Sequence, residues 1–229
     1  MKRALSALAA LALIAACGDS GSSNNGGGGS NSTTFTGVIS TDDGSASGAV
    51  AFTIATTTLA PPSATGPSLV AANATGSVKF NGQAAVSLSG TYDSDTDVLA
   101  VTGGGYTIGG LFDGVDRLEG AFSGPNNTSG SFVTTKTANA TSFCGTYTAN
   151  DQSDHGTFSF VISGSNVRGE ARSVDGTVIP LDGTISGNTI TIYVPGTQTT
   201  LATGTRSGNN ASGTYGGDSP GTWTGGVCQ

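Results

Sequence analysis

The sequence predicts an all-β fold: two tandem antiparallel up-and-down meander barrels of about eight short strands each, with no significant helix beyond a signal peptide. Apolar residues alternate with polar ones between turn signals, as in Phe158, Phe160 and Ile162, which is the period of a strand with one buried face. Glycine (38 of 229 residues) falls between these segments and marks turns. Apolar residues at helical spacing do not extend over any comparable stretch. One larger barrel or a two-sheet sandwich would fit the same strands.

Residues 1–16 have the features of a secretory signal peptide. Lys2 and Arg3 precede an apolar run that is too short to span a bilayer as a permanent helix. The run ends at Cys17, with aliphatic Ile14 three positions earlier and two alanines between them. This arrangement resembles the lipobox of bacterial lipoproteins, which implies cleavage before Cys17, a lipid on its thiol and a fatty acyl group such as palmitate on the new amino terminus. The alternative is an ordinary secretory signal in which the cysteine is incidental.

Residues 17–33 are predicted to be the lipidated cysteine and a flexible tether. The Gly-, Ser- and Asn-rich composition gives the tether a root-mean-square reach of about 20 Å. The lipoprotein resemblance implies the bacterial cell envelope, with the membrane as a partner through the N-terminal lipid. Asp19 stands one position beyond the place of the inner-membrane retention signal of enteric lipoproteins, so the outer membrane is favoured over the inner. The face of that membrane is left open.

The first barrel is predicted over residues 34–137. Val50, Phe52 and Ile54 share one face of a strand, and turn dipeptides such as Asn81-Gly82 separate the segments. A long proline-containing loop, Thr57 to Ala72, interrupts the rhythm. The eight predicted strands cover residues 35–41, 48–56, 75–80, 84–92, 98–102, 106–112, 117–122 and 130–135.

The second barrel is predicted over residues 143–229, after a short connector. The two halves contain similar tripeptides, Gly-Ser-Phe at 130–132 and Gly-Thr-Phe at 156–158, which suggest an internal duplication. The eight predicted strands cover residues 145–149, 157–163, 167–173, 177–185, 189–194, 201–205, 212–215 and 222–227. The pattern of short strands and turns around Gly145-Thr146-Tyr147 resembles that of the meander barrels of avidins and lipocalins. Biotin binding is not implied, because avidin-type sites use several tryptophans and Trp223 is the only one here.

Cys144 and Cys228 stand at the two ends of the second meander, without the spacing of a zinc site. A disulfide in an oxidising compartment is the better account of this pair. If the meander closes, its first and last strands become neighbours and the disulfide joins them.

The charge excludes one class of partner. The chain carries a formal net charge of −7, and removal of Lys2 and Arg3 with the signal peptide leaves −9. Nucleic-acid binding is not expected, because it depends on Lys and Arg that neutralise phosphates. We expect a monomer without a cofactor.

Two groups of polar residues are candidate sites. Asp93, Asp95 and Asp97 alternate as calcium-loop ligands do, with Asp113 and Asp116 in a later turn. Val98 and Gly104 replace the turn glycine and the bidentate glutamate of an EF-hand loop, so a solvated hairpin is favoured and no metal is expected.

His155 is the only histidine, and any histidine-based catalytic site would include it with Asp151 or Asp154. Glu119 and Glu170 are the only glutamates, and their spacing selects no carboxylate pair. The sequence therefore predicts no catalysis.

Aromatic side chains could line a surface for a small ligand or a carbohydrate, although barrel cores and rims also need them. They are Tyr92, Tyr106, Tyr147, Tyr193, Tyr215 and Trp223. Glycine-rich strands favour small, filled interiors, so a structural or protein-interaction role is predicted, in which loop 57–72 faces an envelope or extracellular partner. The alternative is a barrel that binds a small apolar molecule or a carbohydrate.

Overall fold

The computed structural model describes residues 31–56 and 71–228, and its regular elements there are sixteen β-strands and one short 3₁₀ turn, Pro125–Asn127. The first eight strands are β1 (Asn31–Thr41), β2 (Ser47–Thr56), β3 (Ala71–Phe80), β4 (Val86–Asp93), β5 (Val98–Gly103), β6 (Tyr106–Phe112), β7 (Arg117–Ser123) and β8 (Ser129–Thr135). The next eight are β9 (Thr141–Ala149), β10 (His155–Ser163), β11 (Asn166–Ser173), β12 (Val178–Ser186), β13 (Thr189–Tyr193), β14 (Thr200–Ser207), β15 (Asn210–Tyr215) and β16 (Gly221–Val227). Within these residues we find no helix with the length and apolar character needed to cross a bilayer.

Within each set of eight, every strand pairs antiparallel with the next, and the set closes on itself. β8 returns to pair with β1, and β16 returns to pair with β9. The predicted fold class, two tandem eight-stranded meander barrels, is confirmed, and the single larger barrel and the sandwich are excluded.

Strand ends were harder to predict than strands. Residues 31–33, assigned to the tether, begin β1, and residues 71–72, assigned to the long loop, begin β3. These ends are small or polar, so they lack the alternation that marks a strand. The rest of that loop, residues 57–70, and the lipidation site at Cys17 lie outside the described residues.

The two barrels lie side by side, and the end at which the first strand begins is the same in both. We call the end of the first barrel where β1 begins the entry end; it carries the turns at 94–97 and 113–116. The opposite, far end carries the turns at 42–46 and 81–85. Asp116 at the entry end bonds Arg168 (2.7 Å), and Asp42 at the far end bonds Arg172 (3.1 Å). The turns of the second barrel at 150–154 and 174–177 therefore lie at the far end.

Polar contacts join the two barrels. The Arg172 guanidinium contacts Glu170 (2.9 Å) and Ser131 (2.6 Å), and the Ser131 hydroxyl donates to Glu170 (2.7 Å). The Ser40 and Ser159 hydroxyl oxygens lie 2.9 Å apart across the same interface. Because Glu170 and Arg172 are buried, their charges need these partners to offset lost hydration.

The expected disulfide is present. Cys144 on β9 and Cys228, directly after β16, are bonded with Cα atoms 5.1 Å apart. The bond lies where the first and last strands of the second barrel meet, beside the β9–β16 ladder. Only the second barrel has this covalent link between its first and last strands in the described part of the chain.

Candidate functional site

A cavity of about 90 Å³ lies inside the second barrel. All eight strands of that barrel contribute to its walls, which are apolar except at one end. Leu181 and Ile192 are buried on the wall, whereas Ile179 and Leu201 are half-buried at the rim. This rim is at the far end, so the cavity opens there.

Three aromatic rings build one wall of the cavity. The rings of Phe158 and Phe160 stack at 5.5 Å, and the Trp223 indole meets Phe158 edge to face at 5.4 Å. The indole nitrogen donates to the carbonyl of Thr203 (3.3 Å), so its polar atom is satisfied inside the barrel. A Cβ at position 204 would lie 2.0 Å from the indole ring, which explains the glycine there. Local backbone therefore holds the only tryptophan against the cavity.

The polar groups of the cavity gather at its open end. The Asp154 carboxylate accepts a hydrogen bond from the Ser173 hydroxyl (2.6 Å) and a longer one from the Tyr147 hydroxyl (3.5 Å), both at Oδ1. The hairpin that carries Asp154 is fixed by Asp151, whose carboxylate accepts from the Ser153 amide (3.0 Å) and hydroxyl (2.6 Å). The turn thus places one carboxylate at the cavity mouth.

Tyr215 supplies a further polar atom to the site. Its ring meets the Tyr147 ring edge to face at 5.7 Å. Its hydroxyl is buried without a hydrogen-bond partner in the described part of the chain. A Cβ at Gly221 would lie 2.6 Å from this hydroxyl, so the glycine makes room for it. An unpartnered buried hydroxyl costs free energy unless a ligand or water satisfies it.

Both phenols stay protonated over the ordinary pH range. Burial raises the pKa of Tyr147 to about 12; the Ser173 hydroxyl opposes this shift and the Asp154 carboxylate adds to it. Burial also raises the pKa of Tyr215, and the nearby Asp154 and Asp151 charges add to the rise. Each hydroxyl can therefore donate one hydrogen bond and still accept another.

Strand pairing gives every position of this site a counterpart in the first barrel. The Thr41 amide bonds the Ala46 carbonyl (2.9 Å), as the Ala149 amide bonds the Asp154 carbonyl (2.8 Å). The turn residue with positive φ is Gly44 (64°) in one hairpin and Gln152 (60°) in the other. The two hairpins therefore match residue for residue.

The same holds for the strands. Phe80 pairs with Gly48, as Ser173 pairs with Gly156. Four polar residues at the mouth match apolar residues of the first barrel. The pairs, first barrel then second, are Ile39 and Tyr147, Ala46 and Asp154, Phe80 and Ser173, and Phe122 and Tyr215.

The space of the cavity also follows from matched positions. In the first barrel Phe80 packs against Tyr106 (6.0 Å) and Phe122 (5.7 Å) and occupies the far end. In the second barrel Phe80 is replaced by a serine. Ile108 and Val78 are likewise matched by Ala202 and Ala171, which line the cavity.

The residues singled out in the sequence have different roles. Tyr147, Tyr215 and Trp223 line the cavity, whereas the Tyr193 hydroxyl lies 3.3 Å from Thr184 Oγ1 in an exposed contact on β12 and β13. Tyr92 and Tyr106 pack against the core of the first barrel.

The calcium candidates serve the turn in which they lie. Asp93 accepts from the amide of Asp95 (2.9 Å), which lowers the pKa of Asp93, and Asp97 accepts from the Tyr92 hydroxyl (2.5 Å). Asp113 accepts from three amides of its own turn. Across residues 31–56 and 71–228, no group of three or more His, Cys, Asp or Glu is placed to hold a metal ion.

The remaining candidates are ion-paired or exposed. Glu119 pairs with Arg117 (2.6 Å) and Glu170 with Arg172 (2.9 Å). His155 is exposed at the start of β10, whereas its neighbour Asp154 belongs to the cavity mouth. Ser173 could not be recognised as a site residue from the sequence, because serines are common in strands and only the strand pairing places this one beside Asp154.

No protein-family model matches this chain, and no curated protein matches it. Among solved structures, the chain is similar to the Myxococcus xanthus hemagglutinin in complex with a3,a6-mannopentaose, with 14% identity, 68% of this chain and 83% of that chain covered, and a TM-score of 0.23. It is also similar to the Burkholderia oklahomensis agglutinin, with 14% identity, 85% and 95% covered, and a TM-score of 0.22. At these TM-scores, neither likeness bears on the function of this chain.

Proposed function

We propose that the second barrel binds a small, mainly apolar molecule that carries one hydrogen-bonding group. The observation that supports this function is the set of four matched positions at the cavity mouth. These positions hold apolar side chains in the first barrel. In the second barrel the matched positions hold Tyr147, Asp154, Ser173 and Tyr215. A stability requirement alone would favour the apolar set, because buried polar groups must be satisfied.

The cavity limits the size of the ligand. An apolar cavity of roughly 150 Å³ holds a molecule such as benzene, and this one has about 90 Å³ with an open rim. We therefore propose a body of one ring or a short branched chain, seated against Trp223, with its polar group at Asp154 and Tyr215. An eight-stranded barrel has room for one such ligand.

Trp223, the only tryptophan in the chain, reports on occupancy directly. The full-length protein in lipid nanodiscs is titrated with benzyl alcohol while tryptophan fluorescence is followed, and empty nanodiscs supply the blank. We expect a saturable change. The variant Ala202→Ile introduces the residue that the first barrel has at the matched position, Ile108. We expect it to weaken binding at least tenfold, because the larger side chain fills the cavity.

Ala100→Ile is the matched control. It adds the same volume at a half-buried position in β5 of the first barrel, outside the cavity. We expect this variant to bind as the unmodified protein does. Unsaturable fluorescence, or equal binding in Ala202→Ile, would overturn the proposal.

The structural role predicted from the sequence fits the first barrel. Its core side chains are buried and its far end is occupied by packed aromatic rings. We propose that it serves as a scaffold that holds the binding barrel through the Glu170–Arg172 interface, and that the protein binds rather than catalyses.

We also propose that the protein is a lipid-anchored component of the bacterial cell envelope, at the outer membrane. The support is the lipobox pattern that ends at Cys17. Labelled palmitate should be incorporated by cells that express the chain, and the label should be lost in Cys17→Ser. Label that persists in the variant would show that the lipobox interpretation is wrong.

A further inference from the structure

Building on the proposed function, we infer that the polar group of the ligand is a protonated amine, so that the second barrel takes a small organic cation with an apolar body. Asp154 and two phenols line the mouth where that group would lie, and the Trp223 indole lines the cavity deeper in the barrel.

The charge at the mouth is negative. Among the residues that the structure describes, Asp154 is the only charged side chain that lines the cavity. Both of its hydrogen bonds within the described residues use Oδ1, which leaves Oδ2 to accept from a ligand. A partly buried carboxylate attracts a cation more strongly than an exposed one, because solvent and salt screen it less.

The aromatic rings beside Asp154 suit a cation. Tyr147 and Tyr215 meet edge to face at 5.7 Å, and the buried Trp223 ring lies deeper in the wall. An ammonium group over such ring faces gains cation–π attraction, which strengthens when water is excluded. A neutral ligand would pack as well against aliphatic side chains as against aromatic ones. A cation gains extra attraction only from aromatic rings, so the rings at the mouth favour a cation.

The unpartnered Tyr215 hydroxyl can accept a hydrogen bond from the same group. An ammonium has three donors and no acceptor. Oδ2 of Asp154 and the phenol oxygen are acceptors at the mouth of one cavity. An ammonium group placed between these two atoms would satisfy both.

An anionic group is disfavoured at this position. Asp151 and Asp154 together act on Tyr215, and both raise its pKa, so the field there is negative. The nearby Arg172 guanidinium is already held by Glu170 and Asp42 at the interface between the barrels. It does not line the cavity.

The experiment compares three ligands with the same ring and different charge: benzylamine, benzyl alcohol and benzoate. Each is titrated into the full-length protein in nanodiscs at neutral pH, with Trp223 fluorescence as the signal and empty nanodiscs as the blank. We expect benzylamine to bind at least tenfold more tightly than benzyl alcohol, and benzoate to bind more weakly than either. This series requires no substitution, so it does not depend on the folding of a variant.

Asp154→Asn then tests the carboxylate itself. We expect it to bring benzylamine to within about threefold of benzyl alcohol, since it removes the charge and keeps the shape. Asp182→Asn is the matched control: Asp182 is exposed on the outer face of β12, and its substitution removes the same charge. The control should retain the preference for the amine.

The outcomes separate this inference from the function on which it rests. Equal binding of benzylamine and benzyl alcohol, tightest binding of benzoate, or an amine preference that survives Asp154→Asn would overturn the amine assignment while ligand binding stands. Failure of all three ligands to bind would overturn the proposed function as well.

Discussion

In the first barrel the far end is closed by the packed rings of Phe80, Tyr106 and Phe122, whereas in the second the same level of the barrel holds a cavity with a carboxylate at its mouth. The hydrogen-bonded ladders that surround these two interiors have the same strand order. Topology therefore fixes which positions face inward and at which height. Whether an interior is filled or hollow depends on a few side chains at those positions.

The two barrels also differ in how they close. Within the described residues, the first closes through the β1–β8 ladder alone, and the second adds the Cys144–Cys228 bond to the β9–β16 ladder. A cavity costs stability through lost packing. The disulfide acts in the opposite direction, because it restricts the unfolded chain. The barrel with the cavity is thus the one with the covalent link.

The largest expected effect comes from removing that link. Closing a loop with a sequence separation of 84 stabilises a fold by about 4.5 kcal/mol in the chain-entropy model. We expect the double variant Cys144→Ala/Cys228→Ala to lose about this much in urea unfolding followed by Trp223 fluorescence. A loss below about 1 kcal/mol would mean that the ladder and the interface alone hold the second barrel closed.

The next effect tests the interface between the barrels. Arg172→Met should cost about 4 kcal/mol in unfolding free energy, because it leaves the buried Glu170 carboxylate without its guanidinium. The partly exposed pair Arg117–Glu119 is the comparison, and Glu119→Gln should cost less than about 1 kcal/mol. If the two substitutions lower the free energy of unfolding by equal amounts, the buried pair is better hydrated than its contacts indicate.

A reciprocal exchange tests the interiors. Ile108→Ala in the filled barrel should cost about 3 kcal/mol, since it opens a void among buried side chains. The matched change Ala202→Ile in the hollow barrel should change stability by no more than about 1 kcal/mol, because space is already present. Calorimetry on both variants measures the difference. Equal and large losses would show that the second barrel is as tightly packed as the first.

The smallest effect concerns the matched hairpins. Hydrogen bonds from the Thr41 hydroxyl and then from Ser45 hold the pKa of Asp43 at about 2. A depressed carboxyl pKa stabilises the fold above its ordinary value near 4, and this contribution is lost as pH falls toward 2. Because Asp43 is exposed, solvent screening keeps the contribution below about 1 kcal/mol.

The variant Asp43→Asn should therefore lower the urea midpoint slightly at pH 5 and leave it unchanged near pH 2. Asp151 holds the same position in the other hairpin, and its pKa is lowered by Ser153. A loss in Asp43→Asn that is equal at both pH values would assign the effect to hydrogen-bond geometry rather than to charge.

The sequence predicted the ladder better than it predicted the site. Alternation such as Val50, Phe52 and Ile54 reveals a strand, because period two and burial are linked. Val38 beside Ile39, and Val161 between Phe160 and Ile162, break this alternation. They are buried on the outer faces, where the barrels meet. Partners across an interface leave no local pattern in either strand.

The site follows the same logic. Tyr147, Tyr215 and Trp223 were visible as aromatic candidates, and Asp154 as a neighbour of His155. Their convergence on one cavity depends on register, which brings β9, β15 and β16 to one level. The prediction of small, filled interiors describes the first barrel. In the second, Ser173 and Ala202 stand where Phe80 and Ile108 pack, and that correspondence exists only once the strands are paired.

The position of the cavity mouth has a consequence under the proposed lipid anchor. The chain enters the first barrel at Asn31, and the mouth lies at the far end, the height of a strand away. Strands of seven to nine residues rise about 25 Å. If Cys17 is anchored in a lipid leaflet, the mouth can face the aqueous compartment while the chain is tethered behind it. Such a protein would sample solutes dissolved in that compartment rather than molecules that diffuse within the bilayer.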